Sequence, residues 1–339
     1  MRINQTEIAR RLKLSTATVS KSLRNHPDIN PTTRARVLDL AAQLDYQVRH
    51  DSRVDNRKNT GIRFVGVMAY GGIPDTPADH AALRYMAGLS EAAESNRVSL
   101  VVHHVFGDSR KLLDEASQPA AMRQGILEGL ILIHRFDAEV VRELSNRMPC
   151  VTLVHYVPGT RLDHVDADCL GAMTLAAGHL HSLGHRRIGF FGFQKQISHS
   201  LVRYAAYATT MLGMGLPFEE AVESGGENLH GAIDRVAQRA REGVTAWMCG
   251  SDYAGYLLCQ ELSARGLRVP QDVSVTGFDG SPPPMGMTPL TTLRVPFQEM
   301  ASVALNRLVN RIRHPGAPGR QILLECQLVP GGSTAAAHV

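Results

Sequence analysis

The sequence predicts a chain of two fold classes: a small all-α head of three helices, then a larger α/β body built as two lobes. Three observations carry this expectation. The first sixty residues hold short amphipathic segments with helix-start signals and a basic excess. From Gly61 onward, short apolar runs alternate with helical stretches, the pattern of parallel sheets covered on both faces. The length of 339 residues fits about two large units at a typical ~150 residues each, or one with an appendage. Hydrophobic residues make up 44%, enough for a buried core.

In the head, Asn4 and Glu7 form a capping-box-like pair, and Ile8, Ala9 and Leu12 then share a face. Ser15 caps a second helix whose inward residues, Val19 and Leu23, stand four apart. The intervening stretch, Arg11 to Leu14, is too short for anything but a tight turn. Asn30 as N-cap with Pro31 at the first helical position opens a third helix, with Val37, Leu40, Ala41 and Leu44 on its apolar stripe. So few apolar residues bury one small core, and such a unit serves mainly to present its second helix.

Charge says what that helix meets. Residues 1–60 hold twelve Lys/Arg against six Asp/Glu, a net +6 that leaves −2 on the remaining 279. A basic head on a near-neutral body is the footprint of a nucleic-acid contact. The exposed face offers Thr16, Ala17, Thr18, Ser20 and Lys21, followed by Arg24. These short or polar side chains fit a major groove about 12 Å wide, and Thr16, Ala17 and Lys21 are the candidates for base edges. Asn30, Thr33 and Arg34, at a helix start, are placed for phosphates. A three-helix protein-interaction module is the alternative, against which charge and spacing weigh.

The run Leu14-Ser15-Thr16-Ala17-Thr18-Val19-Ser20-Lys21, with Asn30-Pro31-Thr32-Thr33-Arg34-Ala35-Arg36-Val37 and Leu44-Asp45-Tyr46, resembles the headpiece of the lactose/purine-repressor (LacI/GalR) family, with Lys21 replacing the usual arginine. The resemblance implies a homodimer whose recognition helices lie in successive major grooves of a roughly palindromic double-stranded DNA operator. It also implies a hinge helix after Tyr46 whose leucine wedges into the minor groove. Here Arg53 matches the pattern, but Val48 and Arg49 replace Pro and Asn, and Asp55 stands where the leucine belongs. An aspartate is no apolar wedge, and phosphates repel it. Three readings stay open: binding without a kink, Val54 as a wedge in shifted register, or a polar linker. The expectation is an operator bent less than the resemblance implies.

In the body, strands are expected at Phe64–Met68, Leu100–Val105, Leu130–Ile133, Val151–Val154, Ile188–Phe191, Ala246–Cys249 and Val273–Thr276. Helices are expected at Ala81–Ser95, Gly171–Leu183, Tyr253–Arg265 and Phe297–Ile312. The resemblance extends through Leu180 to Gly189, Val269 to Asp279, Pro289 to Pro296 and Leu328 to Ser333. It implies a periplasmic-binding-protein-like sensor of two Rossmann-like lobes with an effector cleft between them. The expected division is a helix-turn-helix head at 1–46, a linker at 47–60, an effector-binding and dimerisation domain at 61–333, and a disordered tail at 334–339.

Ligands of open α/β sheets sit beyond the carboxyl ends of strands. Asp279, Asp252 and Arg203 occupy such places, Arg203 at the position of an Arg-x-x-Gly-Phe motif that the resemblance marks. Carboxylates accept from hydroxyls and a guanidinium donates in a fixed fork, which suits a sugar, sugar acid or nucleobase. Capping is the other reading of Asp252 and Asp279. Tyr70 and His199 are further candidates, Tyr70 as a stacking ring.

Other signals point away from chemistry. His179, His181 and His185 fall on a helix end without a carboxylate or cysteine to complete a set, so no metal is expected. Gly189-x-x-Gly192 lacks the rest of a dinucleotide fingerprint, and no cofactor is expected. No nucleophile motif or paired-carboxylate motif suggests an enzyme. The five scattered cysteines fit reduced thiols in the cytoplasm. No secretory leader or membrane span is expected. The function expected is therefore a DNA-binding transcriptional regulator, a repressor by resemblance, whose operator affinity answers to a small molecule.

Overall fold

The computed structural model describes residues 5–23, 29–43, 63–70, 78–195, 197–223 and 229–338. Within the chain two compact units separate, Met1–Gly61 and Ile62–Val339.

The first unit holds α1 (Gln5–Leu12), α2 (Thr16–Leu23) and α3 (Pro31–Gln43). Ile8, Ala9, Val19 and Val37 form its buried core, flanked by Leu12, Leu14, Leu23 and Leu40. The tight turn after α1 closes with Lys13 in the left-handed region at φ 54°. Beside it, the Leu14 N–H donates to the Ala9 carbonyl at 2.9 Å. That six-to-one bond around a left-handed residue is a Schellman ending, a place where glycine is usual. Ser15 Oγ accepts from the Thr18 N–H at 3.0 Å, and Asn30 Oδ1 accepts from the Thr32 N–H at 2.8 Å, so both expected caps form. Asn4, Ala41 and Leu44 lie outside the described residues or side chains. So do Arg24 and the whole 47–60 segment with Val48, Arg49, Arg53, Val54 and Asp55.

The second unit carries two six-stranded sheets. Its elements in order are β1 (Arg63–Tyr70), α4 (Ala78–Asn96), β2 (Val98–Val105), α5 (Ala120–Arg123), β3 (Leu127–Ile133), α6 (Ala138–Arg147), β4 (Cys150–Leu153) and β5 (Asp163–Ala167). There follow α7 (Cys169–Ser182), β6 (Ile188–Phe193), α8 (Ser198–Gly213), β7 (Val222–Glu223), α9 (Leu229–Arg241), β8 (Ala246–Cys249), α10 (Asp252–Ala264) and β9 (Ser274–Asp279). The last are β10 (Thr291–Arg294), α11 (Phe297–Arg313), β11 (Gln321–Leu324) and β12 (Gln327–Val329).

Lobe 1 is the sheet β11-β5-β4-β3-β1-β2, parallel throughout. Lobe 2 is the sheet β12-β10-β9-β8-β6-β7, parallel except where β12 runs against β10. The chain passes between lobes three times: from β5 to α7, from β10 to α11, and from β11 to β12. Accordingly α11 packs on α4, β3, β4 and β5, whereas α7 packs on α8, β8, β10 and β12.

Every expected strand and helix of the body is present. The edge strands β7, β11 and β12, the short β10 and the polar β5 lacked a local signal. In lobe 2, Gly189 pairs with Trp247 across β6 and β8, and a Cβ there would fall 2.5 Å from the indole. The glycine that looked like part of a nucleotide loop is a packing site for the single tryptophan.

The tail departs from expectation. The Ala337 N–H donates to the Leu183 carbonyl at 2.8 Å, and the Ala335 N–H donates to Ser274 Oγ at 3.0 Å. His185, fixed by Thr245 Oγ1 at 2.8 Å through Nδ1, meets both Ser274 Oγ and the Ala335 carbonyl at 3.1 Å through Nε2. His179 Nε2 lies 3.0 Å from Thr334 Oγ1. Residues Thr334–His338 are thus tied to lobe 2 rather than free, and these histidines serve as the ties. Among the described residues no group of three His, Cys, Asp or Glu could hold a metal ion.

Candidate functional site

Two places gather the sequence's candidate residues, one in each unit. On α2, Thr16, Ala17 and Lys21 are exposed while Val19 and Ser22 are buried. The inward residues thus fix which face α2 turns outward, and that face is small and polar. Thr18 is half-buried, with its hydroxyl 2.8 Å from Ser15 Oγ, so it helps start the helix as well as edging the face. Ser20 is half-buried. At the start of α3, Asn30 spends its side-chain oxygen on the cap, Thr33 is half-buried, and Arg34 Nη2 donates to the Ile29 carbonyl at 3.2 Å. Glu7 accepts from Arg10 Nε at 2.8 Å, Arg10 Nη2 at 2.6 Å and Arg11 Nε at 2.8 Å. These arginines hold its carboxyl down to about 2.

In the second unit, residues from the carboxyl ends of both sheets meet. Arg203, on α8, lies with its guanidinium over the Phe278 ring, 3.9 Å from the centroid. Its Nη1 donates to the Gly250 carbonyl at 2.6 Å and its Nη2 to Asp279 Oδ1 at 2.9 Å. Burial pushes the Asp279 carboxyl up to about 6, with Arg203 pulling the other way. Sequence reasoning thus named the pair but not that its members bind each other.

His199, one turn before Arg203, faces His134 of lobe 1, the ring centroids 6.3 Å apart. His134 directly follows β3 and sits in the left-handed region at φ 66°. Tyr85 of α4 backs it edge-on, with Phe297 edge-on behind Tyr85. Burial lowers His134 to about 4 and drives His199 well below its ordinary value, so both rings are neutral near pH 7. Asp166, at the end of β5, completes the group and acts electrostatically on His134, Tyr85 and Arg203. His134, Asp166 and Tyr85 were missed from sequence. His134 had the same signal as Tyr70, a polar ring just after an apolar strand.

Two candidates take other roles. Asp252 is 1% exposed; one oxygen accepts from the Ser281 N–H and the other from Thr292 Oγ1. Ser251, not Asp252, caps α10, accepting from the Ala254 N–H at 3.1 Å. Asp252 therefore braces the loop after Asp279 instead of facing a ligand. Gly277 beneath it leaves the room, since a Cβ there would collide with Asp252 Oδ1. Tyr70 donates its hydroxyl to the Gly107 carbonyl at 2.6 Å and meets Phe136 edge-on at 5.5 Å. It ties β1 to the loop after β2.

Comparison with known proteins gives the same two parts. Residues 6–48 match the bacterial regulatory proteins of the lacI family, and residues 177–334 match the periplasmic binding protein-like domain. The chain is 27% identical over 344 residues to the HTH-type transcriptional repressor CytR of Escherichia coli (strain K12), covering 97% of this chain and 96% of that one. It is 26% identical over 332 residues to the ribose operon repressor of Haemophilus influenzae, covering 94% and 95%. Among solved structures, the lac repressor dimer bound to operator and the anti-inducer ONPF superposes with a TM-score of 0.67 at 20% identity, covering 99% of this chain and 100% of that one. The transcriptional regulator CelR–cellobiose complex gives 0.69 at 22%, covering 98% and 100%.

Proposed function

Because the chain belongs to the lacI family of bacterial regulatory proteins, we propose that it works as an operator-bound homodimer. Its α2 reads the major groove, and its lobes report an uncharged, hydroxyl-rich effector. The family is one of transcriptional regulators, not enzymes, and small-molecule allostery on DNA binding is its mode of action. Repression is the direction that the names of the relatives support. Residues 1–46 carry the DNA contact, 47–60 the linker, and 61–333 effector binding and dimerisation. Thr16, Ala17 and Lys21 face bases with Thr18 and Ser20 beside them on α2, Asn30, Thr33 and Arg34 lie by the backbone, and Arg24 and Arg53 add charge. The protein acts in the cytoplasm, where an operator lies; among the described residues no helix is long and apolar enough to cross a membrane.

One observation carries the effector class: Arg203 is already paired with Asp279. The guanidinium has given one arm to a carbonyl and one to a carboxylate, and Phe278 covers a face. His134 and His199 bring neutral nitrogens, and Asp166 and Asp279 bring carboxylates. Such a set takes hydroxyl donors from a neutral sugar or nucleoside, and disfavours a sugar acid or phosphate, because Asp279 already balances the charge of Arg203. By linkage, DNA changes effector affinity by the factor by which effector changes DNA affinity.

A thermal-shift screen of neutral sugars, nucleosides, gluconate and glucose 6-phosphate, followed by operator titration, tests this. A neutral compound near a hundred times its Kd raises the body's Tm by about 2–6 °C and moves operator affinity. Binding confined to the anions would overturn the class. Sequence-indifferent association with genomic fragments at moderate salt, with or without the neutral compounds, would overturn the function. For the linker, a circular-permutation gel is expected to show less bending than the lac repressor gives; an equal bend removes that reading.

A further inference from the structure

One side chain reaches from lobe 1 to the turn that carries the effector carboxylate of lobe 2. Arg84 lies on α4, with its guanidinium 5.7 Å from the centroid of the Phe297 ring. Its Nη1 donates to the Asp279 carbonyl and its Nη2 to the Gly280 carbonyl, each at 3.2 Å. Both acceptors stand in left-handed backbone, Asp279 at φ 119° and Gly280 at φ 71°. For an aspartate this conformation is strained and persists only when the surroundings hold it. No side chain fits at Gly280, where a Cβ would fall 2.9 Å from the Arg294 Cα. The turn is held by Arg84 on the two carbonyls, Arg203 on the carboxylate, Asp252 on the Ser281 N–H, and the Val295 N–H, which also donates to the Asp279 carbonyl, at 3.4 Å.

We propose that Arg84 is a positioning residue: from across the lobe boundary it holds the Asp279–Gly280 turn in its left-handed form, and so aims the Asp279 carboxylate at Arg203. Arg84 and Arg203 thus grip opposite ends of one residue from opposite lobes. When the lobes part, the fork leaves the carbonyls and the strained turn relaxes. Asp279 is then set for effector only in the closed arrangement. The functional meaning rests on the reading of Asp279 as an effector residue. The physical claim does not, and its test needs no effector.

Hydrogen exchange on the ligand-free full-length protein reads the turn directly. Pro282, Pro283 and Pro284 carry no amide hydrogen, so a peptide over 279–285 reports mainly on Gly280, Ser281 and Met285. Arg84→Met keeps the stem that packs on Phe297 and removes the donors, and it is expected to speed exchange there about tenfold. Arg84→Lys keeps charge and donors and is expected to restore most of the protection. Tm stays within about 2 °C of wild type in both, because the rest of lobe 1 is untouched. Unchanged exchange over 279–285 in Arg84→Met sinks the proposal. So does faster exchange spread across lobe 1 in both variants, the mark of a general packing role. Failure of the effector screen with this local result intact would count against the effector reading only.

Discussion

In the head, Ile8, Ala9, Val19 and Val37 are buried with four leucines leaning on them, and among the described residues these form its whole hydrophobic cluster. In the body, Trp247, Tyr85, Tyr207, Phe190, Phe191 and Phe278 are all fully buried, and the candidate site residues are polar groups set upon that mass. The difference is in what function depends on. The outward face of α2 exists only while four side chains pack, so losing stability and losing DNA binding are one event there. Arg203 on α8, Asp279 at the end of β9 and His134 just after β3 rest on this much larger core, so loss of the site and loss of the fold are expected to separate there.

The largest effect expected is on the head. Ile8→Ala removes about 2–5 kcal/mol from a unit whose whole stability is of that order. Operator affinity should fall by more than about a hundredfold, while calorimetry finds the body's transition unmoved. Retained affinity would mean the head draws support from elsewhere, and the contrast would fail.

Next comes Arg203→Met, which leaves the Asp279 carboxylate without its partner. Asp279 keeps 22% side-chain exposure, so the cost is expected at about 1–3 kcal/mol, below that of a sealed pair. The variant should lose effector response yet still bind operator, the converse of the head variant. Loss of both would show that the body cannot separate the two roles.

Acidity sharpens the contrast further. His134 sits at about 4 in the folded body and His199 well below its ordinary value, both through burial. A histidine lowered on folding contributes stability above its unfolded pKa of ~6.5 and loses it as pH falls toward the folded value. The body's Tm should therefore drop from pH 7 to pH 5. Asp279, raised by burial to about 6, acts oppositely: protonated more readily in the native state, it costs stability as pH climbs from the unfolded ~4 through about 6. Asp279→Asn should then steepen the body's fall on acidification, and His134→Asn should flatten it. His26 and His50 of the head lie outside the described residues, so this test is read on the body's transition alone.

The smallest effect is Lys13→Gly, which relieves a left-handed lysine at φ 54° and should steady the head by about 0.5–1 kcal/mol. No gain in the head's Tm would show that Lys13 is held by its side chain as well as its backbone.

The elements legible in the sequence were those whose burial is written locally. Leu130–Ile133 of β3 and the β6 and β8 strands are unbroken apolar runs, and the caps Ser15 and Asn30 stand next to what they cap. The β5 strand reads Asp163-His164-Val165-Asp166-Ala167 and looks like a loop. Its Asp163 is nevertheless fully buried, because Arg307 donates to it at 3.0 Å and the Arg320 N–H at 2.8 Å. Partners so distant in the chain leave no local trace, and Asp166 was lost from the site along with its strand. Asp252 and Asp279 looked alike in sequence, each an acid after an apolar run. What separates them is whether a backbone N–H or a guanidinium lies nearest, and only the fold decides that.

The three passages between lobes bear on how this molecule is made. Lobe 1 needs α11 and its edge strand β11, so it is unfinished until Leu324 has left the ribosome. By then nearly all of lobe 2 has emerged as well, and β12 follows within five residues. Neither lobe corresponds to a continuous stretch that could fold ahead of the other. A nascent chain can complete its small basic head early, but its sensor closes as one late event, and cutting the gene between lobes yields no half that stands unaided.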